Sequence, residues 1–169
     1  MNLKEAKAKF IQAWGTLGSS WGINRAMAQI HALLLISEYA LSAEEVMEAL
    51  QISRGNANMN LRALIDWGLV YKELKPGDRK EYFIAEKDMW KVATQVAKER
   101  RKRELAPMMT VLDELSNLED SIDPVASKRF SKTIADIKHT ADKADNTLEL
   151  LIKADENWFM NSFLKVLRK

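Results

Sequence analysis

The chain has 169 residues, of which 47% are hydrophobic, so it can build a packed core and is not an intrinsically disordered polypeptide. It contains no cysteine and two histidines, which excludes disulfides and cysteine metal sites and disfavours metal chemistry. The formal net charge of +2 hides an asymmetry: residues 50–103 carry +6, whereas residues 1–49 carry −1 and residues 104–169 carry −3.

Two helices are predicted at the start of the chain. The first contains an apolar seam whose members are three or four residues apart, namely Phe10, Trp14, Leu17 and Trp21. After Gly22, Asn24 is a suitable cap for a second helix that ends near Tyr39. Apolar residues at helical spacing line one side of this second helix, so both helices are expected to pack.

A short third helix is predicted after Ser42. Ser42 followed three residues later by Glu45 is a capping box, and the helix is expected to end before Gln51. Its expected buried face consists of Val46, Ala49 and Leu50.

A fourth helix is predicted directly afterwards. Ser53 caps a helix that begins at Arg54, and Gly68 follows its end. The expected buried stripe consists of Ala57, Leu61, Leu64 and Ile65. Two short helices joined by a turn at residues 51–53, the second with a polar outer face, form the helix-turn-helix pattern.

A β-hairpin is predicted next, from strands at residues 69–74 and 80–85 that are rich in β-branched and aromatic residues. Pro76 and Gly77 fit the central positions of a type II turn, because proline fixes a negative φ and glycine accepts the positive φ that follows. A hairpin directly after a helix-turn-helix is a wing, and the winged segment spans roughly Arg25 to Ala85.

Long helices are predicted after Gly77, because the last 92 residues contain no glycine and two prolines. Pro107 is expected to break or kink one of them, and Asp123 with Pro124 predicts the start of another. The latter carries a repeat typical of a coiled-coil seam within the chain or between two chains, formed by Phe130, Ile134, Ile137, Ala141, Ala144, Leu148 and Leu151. A last apolar segment spans residues 158–167.

The outer face of the fourth helix carries residue types suited to the major groove of DNA. A helical projection points six residues away from the buried stripe, namely Gly55, Asn56, Met59, Asn60, Arg62 and Ala63. Asparagine pairs with N6 and N7 of adenine, arginine pairs with O6 and N7 of guanine, and Gly55 permits close approach to a phosphate. The alternative is a surface helix that is polar by chance, but the asparagines at positions 56, 58 and 60 are poor helix formers and disfavour it.

Cations surround the predicted wing turn, and the guanidinium of Arg79 is the one best suited to the minor groove. Asp78 is expected to hold the wing rather than to bind DNA. The alternative is an ordinary charged hairpin tip, which is favoured for Lys72 and Lys80 taken singly. The candidate DNA-binding residues are Ser53, Arg54, Gly55, Asn56, Asn58, Met59, Asn60, Arg62, Lys72, Lys75, Arg79 and Lys80.

Three further features have an ordinary structural interpretation that is favoured over a functional one. The basic run at residues 98–103 is more typical of a solvated helix face than of a contact surface. His31 and His139 are predicted to pack rather than to bind a ligand. An aromatic pocket for a quaternary ammonium effector is conceivable but less favoured than core packing for Trp14, Trp21, Trp67 and Trp90.

Four stretches of the sequence, residues 21–35, 52–62, 67–70 and 75–80, resemble one known family. Over roughly residues 10–105 the chain is similar to the GbsR branch of the MarR-like winged-helix regulators. The resemblance implies a dimer with interlocking N- and C-terminal helices, which presents a recognition helix and a wing from each subunit to palindromic DNA. That branch is associated with choline and glycine betaine metabolism, and no motif in the last third of this chain carries this association over.

The predicted fold is mainly α-helical with a small β-hairpin wing: a winged helix-turn-helix plus long helices that form a dimerisation region. Residues 1–22 are expected to form an N-terminal dimerisation helix, and residues 23–86 the DNA-binding domain. Residues 87–169 are expected to form a helical linker and a C-terminal dimerisation region.

The predicted function is sequence-specific regulation of transcription, as a repressor, by a cytoplasmic homodimer on double-stranded DNA. A small-molecule effector is an open expectation, and no cofactor is expected. The alternative is a winged-helix module that binds protein instead of DNA. An enzyme is disfavoured, since no paired carboxylates, glycine-rich phosphate loop or Ser-His-Asp arrangement is recognisable. The longest purely apolar run, residues 32–36, is far short of the ~20 residues that span a bilayer, so no membrane partner is expected.

Overall fold

The structure is a computed structural model that describes residues 1–117 and 123–154. The chain divides into two units, residues 1–92 and residues 93–169. The apolar segment at residues 158–167 lies outside the described residues. None of the described helices combines the length and the apolar character that crossing a membrane requires.

The first unit begins with helices α1 (Leu3–Ser20) and α2 (Arg25–Ile36), whose N-caps are Asn2 and Asn24. The residues that α1 buries are Gly15 and Gly18. A Cβ atom placed on Gly18 would lie 2.6 Å from the Cβ of Ala28, so the two helices touch almost backbone to backbone. The predicted apolar seam of α1 contributes Trp14, which lies beside His31 of α2, whereas its Leu17 and Trp21 are exposed.

A short strand β1 (Leu41–Ser42) leads into α3 (Ala43–Leu50) and was not predicted, since two residues carry no recognisable alternation. The predicted capping box is confirmed: Ser42 Oγ accepts from the backbone N–H of Glu45 at 3.3 Å, and Glu45 Oε2 accepts from that of Ser42 at 2.7 Å. The prediction that Ala49 is buried is wrong. Val46 is the buried residue of α3, and Ala49 lies on the flank that faces solvent.

Helix α4 (Arg54–Asp66) follows Gln51, which ends α3 in the left-handed conformation with φ 53°. Ser53 caps α4 as predicted, and Gly68 follows its C-cap with φ 68°. The largest side chains with almost no exposure are contributed by α2, α3, α4 and the strand that follows, namely Ile30, Leu34, Val46, Leu61, Leu64 and Val70. Burial of each such side chain stabilises the fold by about 1.5–3 kcal/mol, and this core fixes the position of α4.

Strands β2 (Val70–Leu74) and β3 (Glu81–Ala85) form the predicted wing in a sheet with the order β1-β3-β2. Val70 pairs with Ala85 and Leu41 pairs with Phe83, both in antiparallel register. The turn is the predicted type II turn, since the N–H of Asp78 donates to the carbonyl of Lys75 at 3.1 Å and Gly77 has φ 80°.

Lys87, just after β3, caps the carboxyl end of α2. Its Nζ donates to the backbone carbonyls of Leu34, Leu35 and Ser37 at 2.8, 2.7 and 2.9 Å. These carbonyls lie where a helix runs out of its own donors. Partial burial lowers the pKa of the Lys87 ammonium. One side chain therefore joins the end of the wing to α2.

The second unit contains most of α5 (Met89–Arg100), a π-helical turn (Arg101–Leu105), α6 (Ala106–Leu115) and α7 (Pro124–Lys153). Of the break or kink predicted at Pro107, the break is not observed, because helical backbone continues from the π-helical turn into α6. Pro107 lies in the first turn of α6, and the wider turn before it accommodates a residue that cannot donate a backbone hydrogen bond. Asp123 caps α7 as predicted, with Pro124 at its start.

The arginines of the basic run at residues 98–103 have acidic partners within the chain. Arg101 binds Asp145 of α7 through two hydrogen bonds of 2.5 and 2.7 Å. The other two pairs are Arg100 with Glu104 and Arg103 with Glu99. Most cations of this run are thus engaged in ion pairs within the chain. This agrees with the interpretation of the run as an ordinary helix face rather than a contact surface.

Candidate nucleic-acid interface

The N-terminal turn of α4 is open to solvent. Ser53 Oγ accepts from the backbone N–H of Asn56 at 3.3 Å, and the side chains of Ser53 and Arg54 are exposed. A Cβ atom placed on Gly55 would meet nothing within 4 Å. The backbone N–H groups at a helix start that are not bound by a capping side chain can donate to a phosphate oxygen.

The exposed face of α4 contains Gly55, Asn58, Met59 and Arg62, as the projection predicts for all but Asn58. Met59 is 60% exposed. Asn58 and Arg62 line a groove of about 260 Å³ between α4 and the wing, opposite Lys72 and Glu81. That these residues bind DNA stays a prediction.

The prediction that Asn60 points away from the core is wrong. Asn60 is 3% exposed, whereas Asn56, four positions earlier, is half-buried. Four residues rotate a helix by about 400°, so Asn60 lies about 40° further round and on the side of the buried stripe. Its amide nitrogen donates to the backbone carbonyl of Asn56 at 2.8 Å and to the Oδ1 of Asn56 at 2.6 Å. Asn60 is therefore not part of the exposed face of α4, and it holds the side chain of Asn56 by hydrogen bonds instead.

The wing tip is held by contacts of Tyr82, a residue that the sequence did not single out. The ammonium group of Lys75 lies 3.7 Å from the centroid of its ring, and its hydroxyl donates to Asp78 Oδ2 at 2.7 Å. Asp78 Oδ1 accepts from the backbone N–H of Lys80 at 3.0 Å. The Tyr82 hydroxyl lowers the pKa of the Asp78 carboxyl, and that carboxylate raises the pKa of Tyr82. Asp78 holds the wing, as expected.

The candidate cations differ in what they already bind. Lys72 pairs with Glu81 at 2.6 Å, and Arg54 lies 4.0 Å from Glu44 in an exposed pair. Arg62 and Arg79 are exposed and have no acidic partner within the parts of the chain that the structure describes. These two guanidinium groups, one on α4 and one on the wing, are therefore available to an anion.

The two histidines are in different environments. His31 is buried beside Trp14, with 6.2 Å between the ring centroids, so its predicted packing role is confirmed. Burial lowers the pKa of His31 to about 4, with a smaller contribution from the positive charge of Lys87. His139 is exposed on α7 within this chain, and its packing role near the seam stays a prediction. The buried Trp67 favours core packing for that tryptophan, and an effector pocket stays a prediction.

Comparisons with known proteins agree with this architecture. The sequence pattern of the MarR family matches residues 21–81. The chain is 25% identical over 112 residues to the HTH-type transcriptional repressor GbsR of Bacillus subtilis (strain 168), an alignment that covers 66% of this chain and 62% of that repressor. The chain thus spans less than two thirds of the length of this curated relative.

A solved structure shares the fold. It is a crystal structure of a transcriptional regulator that is 22% identical, with a TM-score of 0.56, and the match covers 85% of this chain and 98% of that one. The mainly helical fold with a small antiparallel sheet is therefore established. The winged helix-turn-helix of this chain lies largely within residues 21–81, which match the MarR family, and the resemblance of the chain to the GbsR-type branch of that family is confirmed.

Proposed function

We propose that this protein is a cytoplasmic, homodimeric regulator of transcription, not an enzyme, that represses by binding an inverted repeat in double-stranded DNA. One observation carries the proposal: Gly55, Met59 and Arg62 face solvent on α4 beside a wing whose Arg79 has no acidic partner in the described part of the chain. The family match and the repressor relative support the same function.

In this proposal α4 enters the major groove and each residue group has one role. Arg62 pairs with O6 and N7 of a guanine, while Asn58 and Met59 contact neighbouring base edges. The start of α4, with Ser53, Arg54 and Gly55, binds a backbone phosphate. Arg79 enters the minor groove, and the wing lysines, Lys72, Lys75 and Lys80, bind phosphates on either side of it.

The test is a fluorescence-anisotropy titration of the full chain on duplexes recovered from a random library, at 50 and 200 mM salt. A protein with about six phosphate contacts loses roughly a thousandfold in affinity over this range. Arg62→Ala is expected to lose about tenfold in preference for the recovered sequence, and Lys75→Ala to weaken binding to all duplexes alike. Lys102→Ala, at an exposed position of the second unit, is the matched control.

No binding at 50 mM salt would contradict the proposal. With the dimer intact, that result would instead favour a winged-helix module that binds protein. Equal losses for Arg62→Ala and Lys102→Ala would show that Arg62 does not read a base.

Apolar side chains left exposed on α7 support the homodimer. Of the predicted seam, Ile134 is buried within the chain, whereas Phe130 is 42% and Ile137 is 43% exposed. Leu17 and Trp21 of α1 are exposed as well. A second copy of the chain would bury these side chains and place two recognition helices about 34 Å apart, one turn of B-DNA.

The dimer is tested by sedimentation velocity on the double variant Phe130→Glu/Ile137→Glu. We expect a monomer that binds a single half-site but loses its preference for the inverted repeat. The control is Lys132→Glu, at an exposed polar position of the same helix. A double variant that remains dimeric would contradict the assignment of this seam.

A further inference from the structure

Asn60 and Asn56 form a ladder of hydrogen bonds that fixes both carboxamides. Asn60 is buried, and its amide nitrogen lies within hydrogen-bond distance of two acceptors on Asn56: the backbone carbonyl at 2.8 Å and Oδ1 at 2.6 Å. A side chain four residues away along a helix reaches this position without distortion.

The chemistry of the acceptors determines which end of each carboxamide faces the other. A backbone carbonyl can only accept, so the group of Asn60 beside it must be the NH2 group. The second proton of that NH2 group then needs an acceptor, so the group of Asn56 beside it must be the carbonyl. The NH2 group of Asn56 is consequently turned away from Asn60, and it has no acceptor among the residues that the structure describes.

We propose, on the basis of the DNA binding proposed above, that Asn60 is a positioning residue that makes Asn56 a donor to guanine. The Oδ1 of Asn56 is engaged on the protein side, so its outer edge offers N–H groups alone. Guanine presents two adjacent acceptors in the major groove, O6 and N7, whereas adenine presents N7 next to a donor and cytosine presents a donor. This assignment replaces the adenine pairing expected from an asparagine whose two ends are both available.

The experiment selects bound sequences from a randomised duplex library with the full chain and its variants, and the preference at each base pair is then measured by competition. The wild type is expected to favour guanine over adenine by about tenfold at one position of each half-site, and Asn56→Ala is expected to remove that preference. In Asn56→Asp the carboxylate still accepts from Asn60, but the outer edge becomes an acceptor. Its preference at that position should change to cytosine, whose N4 amino group donates.

Asn60→Leu tests the positioning role. Without Asn60 the carboxamide of Asn56 can turn, so adenine should become as good a base as guanine at the same position. Lys102→Ala, at an exposed position outside the proposed interface, should keep the guanine preference there. Circular dichroism and thermal unfolding establish that Asn60→Leu folds, and Asn56→Asp provides an independent test at a position outside the core.

The outcomes separate this inference from the proposed function. If the wild type binds duplexes but has no guanine preference that Asn56→Ala removes, the inference is overturned and the proposed function is not. Unchanged preferences in both Asn56→Asp and Asn60→Leu overturn it too. A wild type that binds no duplex overturns both proposals.

Discussion

The ammonium group of Lys75 lies over the ring of Tyr82, 3.7 Å from its centroid, at the base of the wing turn. The same tyrosine donates to Asp78, so one side chain holds both sides of the turn. A cation over an exposed aromatic ring contributes about 0.5–1 kcal/mol, enough to favour one arrangement of a short loop. Arg79 is adjacent to Asp78, so we expect the direction of its side chain to depend on this arrangement.

Tyr82→Ala should loosen the wing tip. We expect faster hydrogen exchange at residues 75–80 and a loss of DNA affinity of about three- to tenfold, because Arg79 is no longer held in one direction. Tyr82→Phe keeps the ring under Lys75 and removes the bond to Asp78, so its effect should be intermediate. Hydrogen exchange by mass spectrometry and anisotropy provide the two measurements. Tyr71→Phe is the control, since Tyr71 donates to Glu86 near the other end of the hairpin.

Gly55→Ala should separate stability from DNA binding. The added methyl group meets nothing within 4 Å, and alanine stabilises a helix by about 0.5–1 kcal/mol relative to glycine. The free energy of unfolding in urea should therefore rise. Affinity for DNA should fall, about tenfold, because the methyl group occupies the space that a phosphate needs for close approach. Unchanged affinity would show that no phosphate comes close to Gly55.

Gly18→Ala should destabilise the first unit. The new Cβ would lie 2.6 Å from the Cβ of Ala28, so α1 and α2 must move apart at a cost of about 1–3 kcal/mol. Adding Ala28→Gly to this variant should recover part of the loss, which a double-mutant cycle in urea measures. Gly55→Ala adds the same methyl group without a clash and is the control. An unaltered unfolding midpoint for Gly18→Ala would contradict the close approach of the helices.

Lys87→Met should destabilise the fold by about 2 kcal/mol, because carbonyls at the end of α2 lose a charged donor. Lys98→Met, at an exposed position of α5, should have little effect. Lys87→Arg keeps the charge and should lose less than Lys87→Met. Thermal unfolding monitored by circular dichroism distinguishes the three. Equal midpoints for Lys87→Met and Lys98→Met would show that the cap contributes nothing.

His31 should make stability fall in mild acid. Its pKa is lowered to about 4 in the folded protein, whereas the unfolded chain has the ordinary value of about 6.5. Between these two values the unfolded chain binds a proton that the folded chain does not, so stability is lost as the pH falls from about 6.5 to about 4. The total approaches roughly 3 kcal/mol. His31→Phe should remove this part of the pH dependence, and urea unfolding at pH 7, 5.5 and 4.5 measures the difference from the wild type.

Local signals in the sequence predicted most of the first unit. Caps at Asn24, Ser42 and Ser53 and the Pro76-Gly77 turn act on neighbouring residues, so their structural effect can be inferred without knowing the fold. The packing of α1 on α2 was harder to predict, because its closest approach is at Gly18, and apolar periodicity does not identify a glycine as a packing residue.

The candidate site was predictable as a face but not in its internal contacts. A wheel projection placed Arg62 and Met59 outward, yet it could not resolve the 40° or so that separates Asn56 from the buried Asn60. Tyr82 contacts residues on the other side of the wing turn, and Lys87 contacts the end of a different helix. The partners of both side chains can be identified only once the chain is folded. The ion pair of Arg101 with Asp145 joins residues 44 positions apart, so it could not be predicted from the sequence either.

The contact between Gly18 and Ala28 has a mechanical consequence. Neither residue has a side-chain rotamer, so forming this contact costs no side-chain conformational entropy when the chain folds. For the same reason, no change of rotamer can relieve a strain at this contact. A displacement of α1 at this point must therefore be taken up by the backbone of α2. Since α2 packs directly on α4, a shift of α1 at this contact is passed on to α4 through α2.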